Sequence, residues 1–497
     1  MAIAGIDIGT TGCKCTIYSI EGQLLTEAYR EYQAIITEEE QVLDPSIVWQ
    51  NTRAVLKETT RGIDCIEAIG VTSFGETAIL LDENDKPLTY SMLYTDPRGK
   101  AQCEQLISHF GETYLKQSTG LNPNSMYSIS KLMWLKQNKP EIMDQCKSIC
   151  LFEDYIVYML SGIRQIDYSL ATRTMAFDIN SLQWNEKILK YAGIEKSLLS
   201  EVVPIGSKAG YIREELAEEL GINKTAVIVS GCHDQIAAAI GTGVHKAGMA
   251  VDGTGTVECI TPVFASDVKR EHLYKGSYAI IPFVDEKYVT YAFSFTGGAL
   301  LKWYRDNLAY AEAETIRGRG KNVYDFFNEQ VDDSKPSGLL ILPYFAGAAT
   351  PYMDNEAKGA IVGLTMDTTS RDIYRGLMEG VTYEMYLNME RLLEAGIEIE
   401  SIRATGGGAN SAIWLQMKAD ILNKPIISLG AAQSGTLGCI MLAGLACGVY
   451  QTMEEAEEVF VKLKRTYYPN LEMHKKYSVF YKKYKKLYGA MREVMMD

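Results

Sequence analysis

Two distant stretches of the chain share one pattern. AGIDIGTTGCKCTIYS (residues 4–19) and MAVDGTGTVECITPV (249–263) each run strand, Asp, Gly-Thr turn, second β-rich run. The echo continues downstream, with IEAIGVTSFGET (66–77) matched by IESIRATGGGAN (399–410). It ends on TAVIVSGCHDQIAAAIGTGV (225–244) and PIISLGAAQSGTLGCIMLAGLACGV (425–449), each an apolar strand, a small-residue turn and an Ala/Gly-rich helix. Three matched elements in one order constrain the fold more than any single motif, because each copy must bury its apolar face in the same way. The chain reads as duplicated halves, 1–246 and 247–497, parted within GVHKAG (243–248). Its 497 residues agree, since a single hydrophobic core stops growing at about 250–300 residues.

Inside each half, strands alternate with helices. PSIVWQNTRAVLKETTR (45–61) carries apolar residues at helical spacing after a Pro, and IEAIGVTSF (66–74) returns to a strand. This is an α/β chain, its sheets covered by helices. Residues 97–200 are richer in helical patterns such as SISKLMWLKQN and LFEDYIVYMLSG, and read as helices inserted between strands of the first half. Near the C-terminus Tyr477, Phe480, Tyr481, Tyr484, Leu487, Tyr488 and Met491 recur at i, i+3, i+4 with lysines opposite. A membrane-surface or calmodulin-binding helix fits that pattern too, but in a globular chain a closing helix packed on the fold is the reading taken.

The bulk numbers exclude classes. A formal charge of −14 and a pI near 5.1 argue against a nucleic-acid-binding body, yet a cleft can be locally positive inside an acidic surface. No apolar run reaches membrane-spanning length and the first residues carry no signal-peptide pattern, so a cytoplasmic protein is expected. The ten cysteines form no CxxC pair and the five histidines no HxxxH, so neither a disulfide framework nor a structural zinc is expected.

In DIGTTGCK (7–14), Gly9 and Gly12 let backbone N–H groups converge on an anion, Thr10 and Thr11 add hydroxyls and Lys14 adds charge. A plain hairpin is the alternative; the second copy, DGTGTVE (252–258), weighs toward a phosphate cradle. Neither is a GxxxxGK[ST] loop. ATGGGANSAIWLQMKADIL (404–422) places three glycines after a strand, with Asn410 and Ser411 at the start of a helix whose positive end suits an anion. Asp234, between a strand and a helix, suits an N-cap. It equally suits a carboxylate at a strand's C-terminal end, where open α/β sheets place ligands and where it would accept a hydroxyl proton in phosphoryl transfer.

With both Gly-Thr turns, the Asp234 segment, the GGG turn and LPYFAGAATPYMDNEAKGAIVGL (342–364) in order, the chain resembles the FGGY carbohydrate kinases over its whole length. The resemblance implies two actin-like, ribonuclease-H-like domains with a nucleotide-binding cleft between them. It implies ATP as cofactor, with Mg²⁺ near Asp7, and phosphate contacts from Thr10, Thr11, Lys14, Gly253, Thr254, Gly255 and Thr256. Gly406, Gly407, Gly408 and Asn410 match the adenosine-side turn, and Gly298 in FTGGALLKW the adjoining segment. Asp234 matches the general base.

Glu76, Asp96 and Gln235 match substrate contacts, but Gly75 replaces the arginine of a glycerol-kinase-like Arg-Glu-Thr segment. Phe74-Gly75-Glu76 also departs from the Gln-Met-His of xylulose kinases, and Gln433 stands where an acidic residue is common. The implied activity is ATP-dependent phosphorylation of a small ketose such as xylulose, or of glycerol or another short polyol. A nucleotide-switched binding protein of the actin or chaperone class is the rival on the same scaffold. A small-molecule partner is expected, without nucleic acid or membrane; a homodimer is compatible with the sequence.

Overall fold

The computed structural model describes residues 1–430 and 434–495; Gln433 lies outside the described residues. Two compact units emerge. Met1–His245, Ile280–Val289 and Gln433–Val461 form the first; Lys246–Ala279, Thr290–Ala432 and Lys462–Asp497 form the second.

The first unit is built on a six-stranded sheet in the order Leu24–Glu31, Gly12–Ser19, Ala2–Ile8, Ile66–Ser73, Val227–His233, Ser207–Tyr211. The first three strands are an antiparallel meander, the middle three run parallel, and the last turns back antiparallel. Ala2–Ile8, Ile66–Ser73 and Val227–His233 are almost wholly buried, as parallel strands covered on both faces must be.

Asp44 starts the helix Pro45–Thr59 by accepting from Ser46 N at 2.8 Å, with Pro45 in the first turn where its missing N–H costs nothing. Its buried face, Val48, Thr52, Val55 and Leu56, covers Gly12–Ser19 and Leu24–Glu31. The stretch between Ile66–Ser73 and Ser207–Tyr211 is rich in helices as its sequence predicts, with Lys100–Phe110, Glu112–Thr119, Ser128–Asn138 and Phe152–Ser161.

The second unit repeats the pairing. Ala292–Ser294, Glu258–Phe264 and Met249–Thr254 pair antiparallel, Met249–Thr254, Ser401–Thr405 and Ile426–Leu429 parallel, and Leu463–Tyr467 closes antiparallel. The order of antiparallel and parallel pairings is that of the first sheet, so the duplication read in the sequence is a duplication of sheets. Helix Leu471–Met495 ends the chain with Met473, Tyr477, Tyr481, Tyr484 and Leu487 buried; Phe480, Tyr488 and Met491 sit at the border of that stripe and lysines face outward. Tyr484 and Tyr344 both donate to Glu384 of the buried helix Ser370–Glu394, at 2.5 and 2.9 Å. Among the described residues, no helix is long and apolar enough to cross a membrane.

One helix crosses the boundary that sequence order suggests. Ser434–Ala446, from the second half of the chain, lies on the first unit's sheet and against helix Asp234–Gly241. Glycines permit this: a Cβ on Gly438 would overlap the Ala237 carbonyl, and one on Gly241 the Ser434 carbonyl. The helices touch backbone to backbone.

Candidate active site

In the first unit the sheet register sets the site. Ile8, Ser73 and His233 lie side by side at the carboxyl ends of three parallel strands, so Asp7, the turn Ser73–Thr77 and Asp234 open on the same edge. That is where parallel α/β sheets hold ligands.

Asp234 does not cap its helix. His233 occupies the cap position and Asp234 the first helical turn, where Oδ1 accepts from Gln235 N at 2.6 Å. The free energy that a cap would supply is therefore small, and the carboxylate stays presented at the strand end with a third of its side chain accessible. Its pKa is pushed up to about 7, by desolvation first and then by the Asp7 charge, with Glu76 adding and Arg173 opposing. These causes place Asp7, Glu76 and Arg173 around Asp234.

His233 is buried, with Nε2 3.3 Å from Asp234 Oδ1. Burial, then Arg173, hold its pKa well below the usual histidine value, so at neutral pH the ring is uncharged. The His233 amide donates to Ser169 Oγ at 2.9 Å, fixing the strand end.

Glu76 is buried in a left-handed backbone conformation, φ 67°, which a non-glycine residue adopts at a cost of about 1 kcal/mol or more. Ser128 Oγ holds its carbonyl at 2.6 Å. Its carboxylate pairs with Arg173, whose guanidinium lies 5.2 Å over the Tyr127 ring. Burial raises the pKa of Glu76 and Arg173 opposes the rise. Tyr94, partly exposed, is near enough to Glu76 and Asp234 for both charges to raise its pKa, after burial.

Asp96 is placed differently from a free substrate acceptor. Oδ1 takes the Arg98 amide at 2.9 Å and Nε at 2.8 Å; Oδ2 takes Gln41 N at 2.8 Å and Arg98 Nη2 at 2.6 Å. Burial opposes ionisation, but these donors outweigh it and hold the pKa low. Asp96 braces the loop that carries Tyr94. Gln235 is exposed beside Asp234.

The turn Gly9–Gly12 closes with Gly9 N donating to Gly12 O at 2.9 Å, and Tyr32 steadies it through Gly9 O at 2.6 Å and Thr11 O at 3.0 Å. Thr10, half-buried, and Thr11, exposed, lie in that turn. Lys14 is the cross-strand neighbour of Asp7 and pairs with Glu27 at 3.1 Å. Burial pushes Asp7 up to about 6 and Lys14 opposes it.

The second unit gathers its three glycine segments. Gly297 N and Ala299 N donate to Thr256 O at 2.8 and 3.1 Å, and Gly298 N to Gly255 O at 2.8 Å, so helix Gly298–Asn307 starts on the Gly253–Thr256 turn. Gly406, at φ 78°, comes so close that a Cβ would lie 2.5 Å from Thr254 O, and one on Gly408 2.5 Å from Thr254 Cγ2. Gly407–Asn410 is a 3₁₀ turn rather than the start of the helix; Ser411 caps Ala412–Leu422 through Trp414 N.

Beneath the Gly253–Thr256 turn lies a buried cation that sequence reading missed. Lys418 Nζ meets Asp252 Oδ2 at 2.5 Å, Thr254 Oγ1 at 2.6 Å and Glu258 Oε1 at 3.0 Å. It ties the helix after the GGG turn to both strands that frame the phosphate turn.

These two sets of turns fall inside matched domains. The N-terminal domain of the FGGY family of carbohydrate kinases matches residues 2–241, and the C-terminal domain matches 253–447. The chain belongs to the FGGY family of carbohydrate kinases.

It is 28% identical to a xylulose kinase of Staphylococcus epidermidis, covering 100% of this chain and 98% of that one. It is 30% identical to a glycerol kinase of Janthinobacterium sp., covering 91% of each. The gluconate kinase structure from Lactobacillus acidophilus superposes with a TM-score of 0.89 at 26% identity, over 99% of this chain and 98% of that chain. The actin- or chaperone-type binding protein is thereby set aside in favour of an ATP-dependent sugar kinase. In this FGGY kinase, Asp7, Glu76, Asp234 and Gln235 come together in one unit. Thr254, Gly255, Gly298 and the GGG turn come together in the other. Tyr94, Tyr127, Arg173 and Lys418 were not read from the sequence.

Proposed function

We propose that this FGGY kinase transfers the terminal phosphoryl group of ATP to a hydroxyl of a small ketose, such as xylulose, or a polyol, with Asp234 as general base. The carrying observation is a carboxylate at a strand end, accessible, with a raised pKa, beside a buried Glu76–Arg173 pair able to hold hydroxyls. Asp234 would take the hydroxyl proton as the oxygen attacks; His233 orients the carboxylate, and Glu76 and Gln235 position the sugar. The Gly9–Gly12 turn with Thr10, Thr11 and Lys14 would take phosphate oxygens in the N-terminal half, 1–246. In the C-terminal half, 247–497, Gly253–Thr256, Gly298 and Gly406–Asn410 would hold the rest of the nucleotide. Backbone donors preorganised at glycine turns do most of such catalysis by positioning and charge stabilisation.

Mg²⁺ fits Asp7. Its single half-buried carboxylate at the strand end would hold the ion, with water and phosphate oxygens as the other ligands. When bound, it would neutralise phosphate charge. Glycerol or another short polyol is the second reading, favoured by the Asp234-Gln235 pair beside Glu76.

Asp234→Ala, assayed by coupled ADP release over C3 to C6 ketoses and polyols, should lower kcat by about 10³-fold while ATP affinity stays within about threefold. A folded variant with near-normal turnover would remove Asp234 from the base role.

A further inference from the structure

The peptide that leads into Asp234 lies past a break in its ladder. The register of Val227–His233 on Ile66–Ser73 slips between Ser230 and Cys232, and a Cβ on Gly231 would stand 2.2 Å from the Val71 carbonyl oxygen. Beyond the slip, two hydroxyls from different elements grip the Cys232–His233 peptide at its two ends. Thr72 Oγ1, on the neighbouring strand, donates to the Cys232 carbonyl at 2.5 Å. Ser169 Oγ, in the helix Tyr168–Thr172, accepts from the His233 amide at 2.9 Å.

A serine hydroxyl can donate or accept, so something must fix which way it turns. Asp167 does so. Its Oδ1 takes the Ser169 hydroxyl, and takes the Ser169 amide at 2.8 Å as it caps the helix. With Oδ1 accepting both bonds, the Ser169 proton is committed to it and the lone pairs are left for the His233 N–H. Thr72, Asp167, Ser169 and Cys232 are all fully buried, so water does not compete for these bonds.

We propose that Thr72, Ser169 and Asp167 are positioning residues for Asp234, holding the peptide before it so that the carboxylate meets the substrate hydroxyl in a fixed orientation. The proposal rests on the reading of Asp234 as general base and deepens it. Misplacing a reacting group by 1 Å costs about 10²-fold in rate, and loss of one hydroxyl contact should move it less. Thr72 acts on the same peptide as Ser169 but from the sheet, without touching the helix that leads to Arg173.

The test measures kcat and both KM values in the full chain with xylulose and glycerol as acceptors. Ser169→Ala and Thr72→Val should each lower kcat about tenfold with the KM for ATP within about twofold. Asp167→Ala should match Ser169→Ala, and Asp167→Asn, which keeps an acceptor oxygen, should recover most of that loss. On an Asp234→Ala background, Ser169→Ala should lower the residual rate less than about twofold, because no base is left to misplace. A tenfold loss repeated on that background would mark a general structural defect and overturn the proposal. Folded Ser169→Ala and Thr72→Val enzymes with wild-type kcat, on a kinase that needs Asp234, would overturn it while the base role stands. Near-normal turnover of Asp234→Ala alone, or a wild type that phosphorylates neither acceptor, would bring down the proposed function and this proposal with it.

Discussion

Replacing Lys418 with Met removes the ammonium that stands between Asp252 and Glu258. All three side chains are at most 1% exposed, so water cannot take its place. Breaking a buried ion pair by deleting one partner costs about 3–5 kcal/mol, because the surviving charge is left uncompensated. Protonation offers an escape. Burial first, then the Asp252 charge, already push Glu258 up to about 7 from 4.5, against the pull of Lys418. In the variant it would rise further.

Holding a proton on that carboxyl costs about 1.4 kcal/mol for each pH unit above the unfolded value. At pH 8 this route costs about 5 kcal/mol and at pH 5.5 about 1.4 kcal/mol. Lys418→Met should therefore lose up to about 3–5 kcal/mol at pH 8 and clearly less at pH 5.5, where the wild-type Glu258 already carries a proton and pays the same cost. Equilibrium urea unfolding at both pH values measures the difference, and hydrogen exchange at the Gly253–Thr256 amides locates it. A loss under about 1 kcal/mol at pH 8, or equal losses at both, would refute the argument. The KM for ATP should rise as well, since Lys418 anchors Thr254.

Glu384 is raised to about 7 from 4.5 by burial, against the Tyr484 and Tyr344 hydroxyls that stabilise its charge. A carboxyl raised on folding adds no penalty below its unfolded pKa, and a growing one as pH rises to the folded value. The gain in stability of Glu384→Gln over wild type should thus increase from pH 4.5 to 7 and then level off, read as Tm against pH. Gly438→Ala drives a methyl into the Ala237 carbonyl. It should cost about 2–3 kcal/mol in urea unfolding and lower kcat by moving helix Asp234–Gly241.

Much of the fold was legible because it is periodic. The strand, turn and helix patterns of the two halves became two sheets with the same sequence of pairings, and the helix predicted at 45–61 runs Pro45–Thr59. Asp234 was legible as a strand-end carboxylate, although its capping role was not realised: His233 took that position. The rest of the pocket was hidden. Arg173 is 97 residues from its partner Glu76, and Lys418 166 from Asp252. In AIWLQMKADIL, Lys418 reads as one more polar helix residue. Asp96 matches a substrate contact only through the family resemblance, and Arg98, two residues on, takes its oxygens.

Local order was set by the chain itself. Apolar alternation, Gly-Thr turns and their duplication decide which segments become strands, where backbone N–H groups converge, and that each half repeats the other. Tertiary structure alone decided that helix Ser434–Ala446 joins the first unit, that Arg173 fills the space beside Gly75, and that Lys418 lies under a phosphate turn. The reason is physical. Backbone hydrogen bonding and apolar periodicity act over a few residues and leave their mark in the sequence. Buried charges are paired by whatever the closed chain brings within a few ångströms, and no local pattern records that distance.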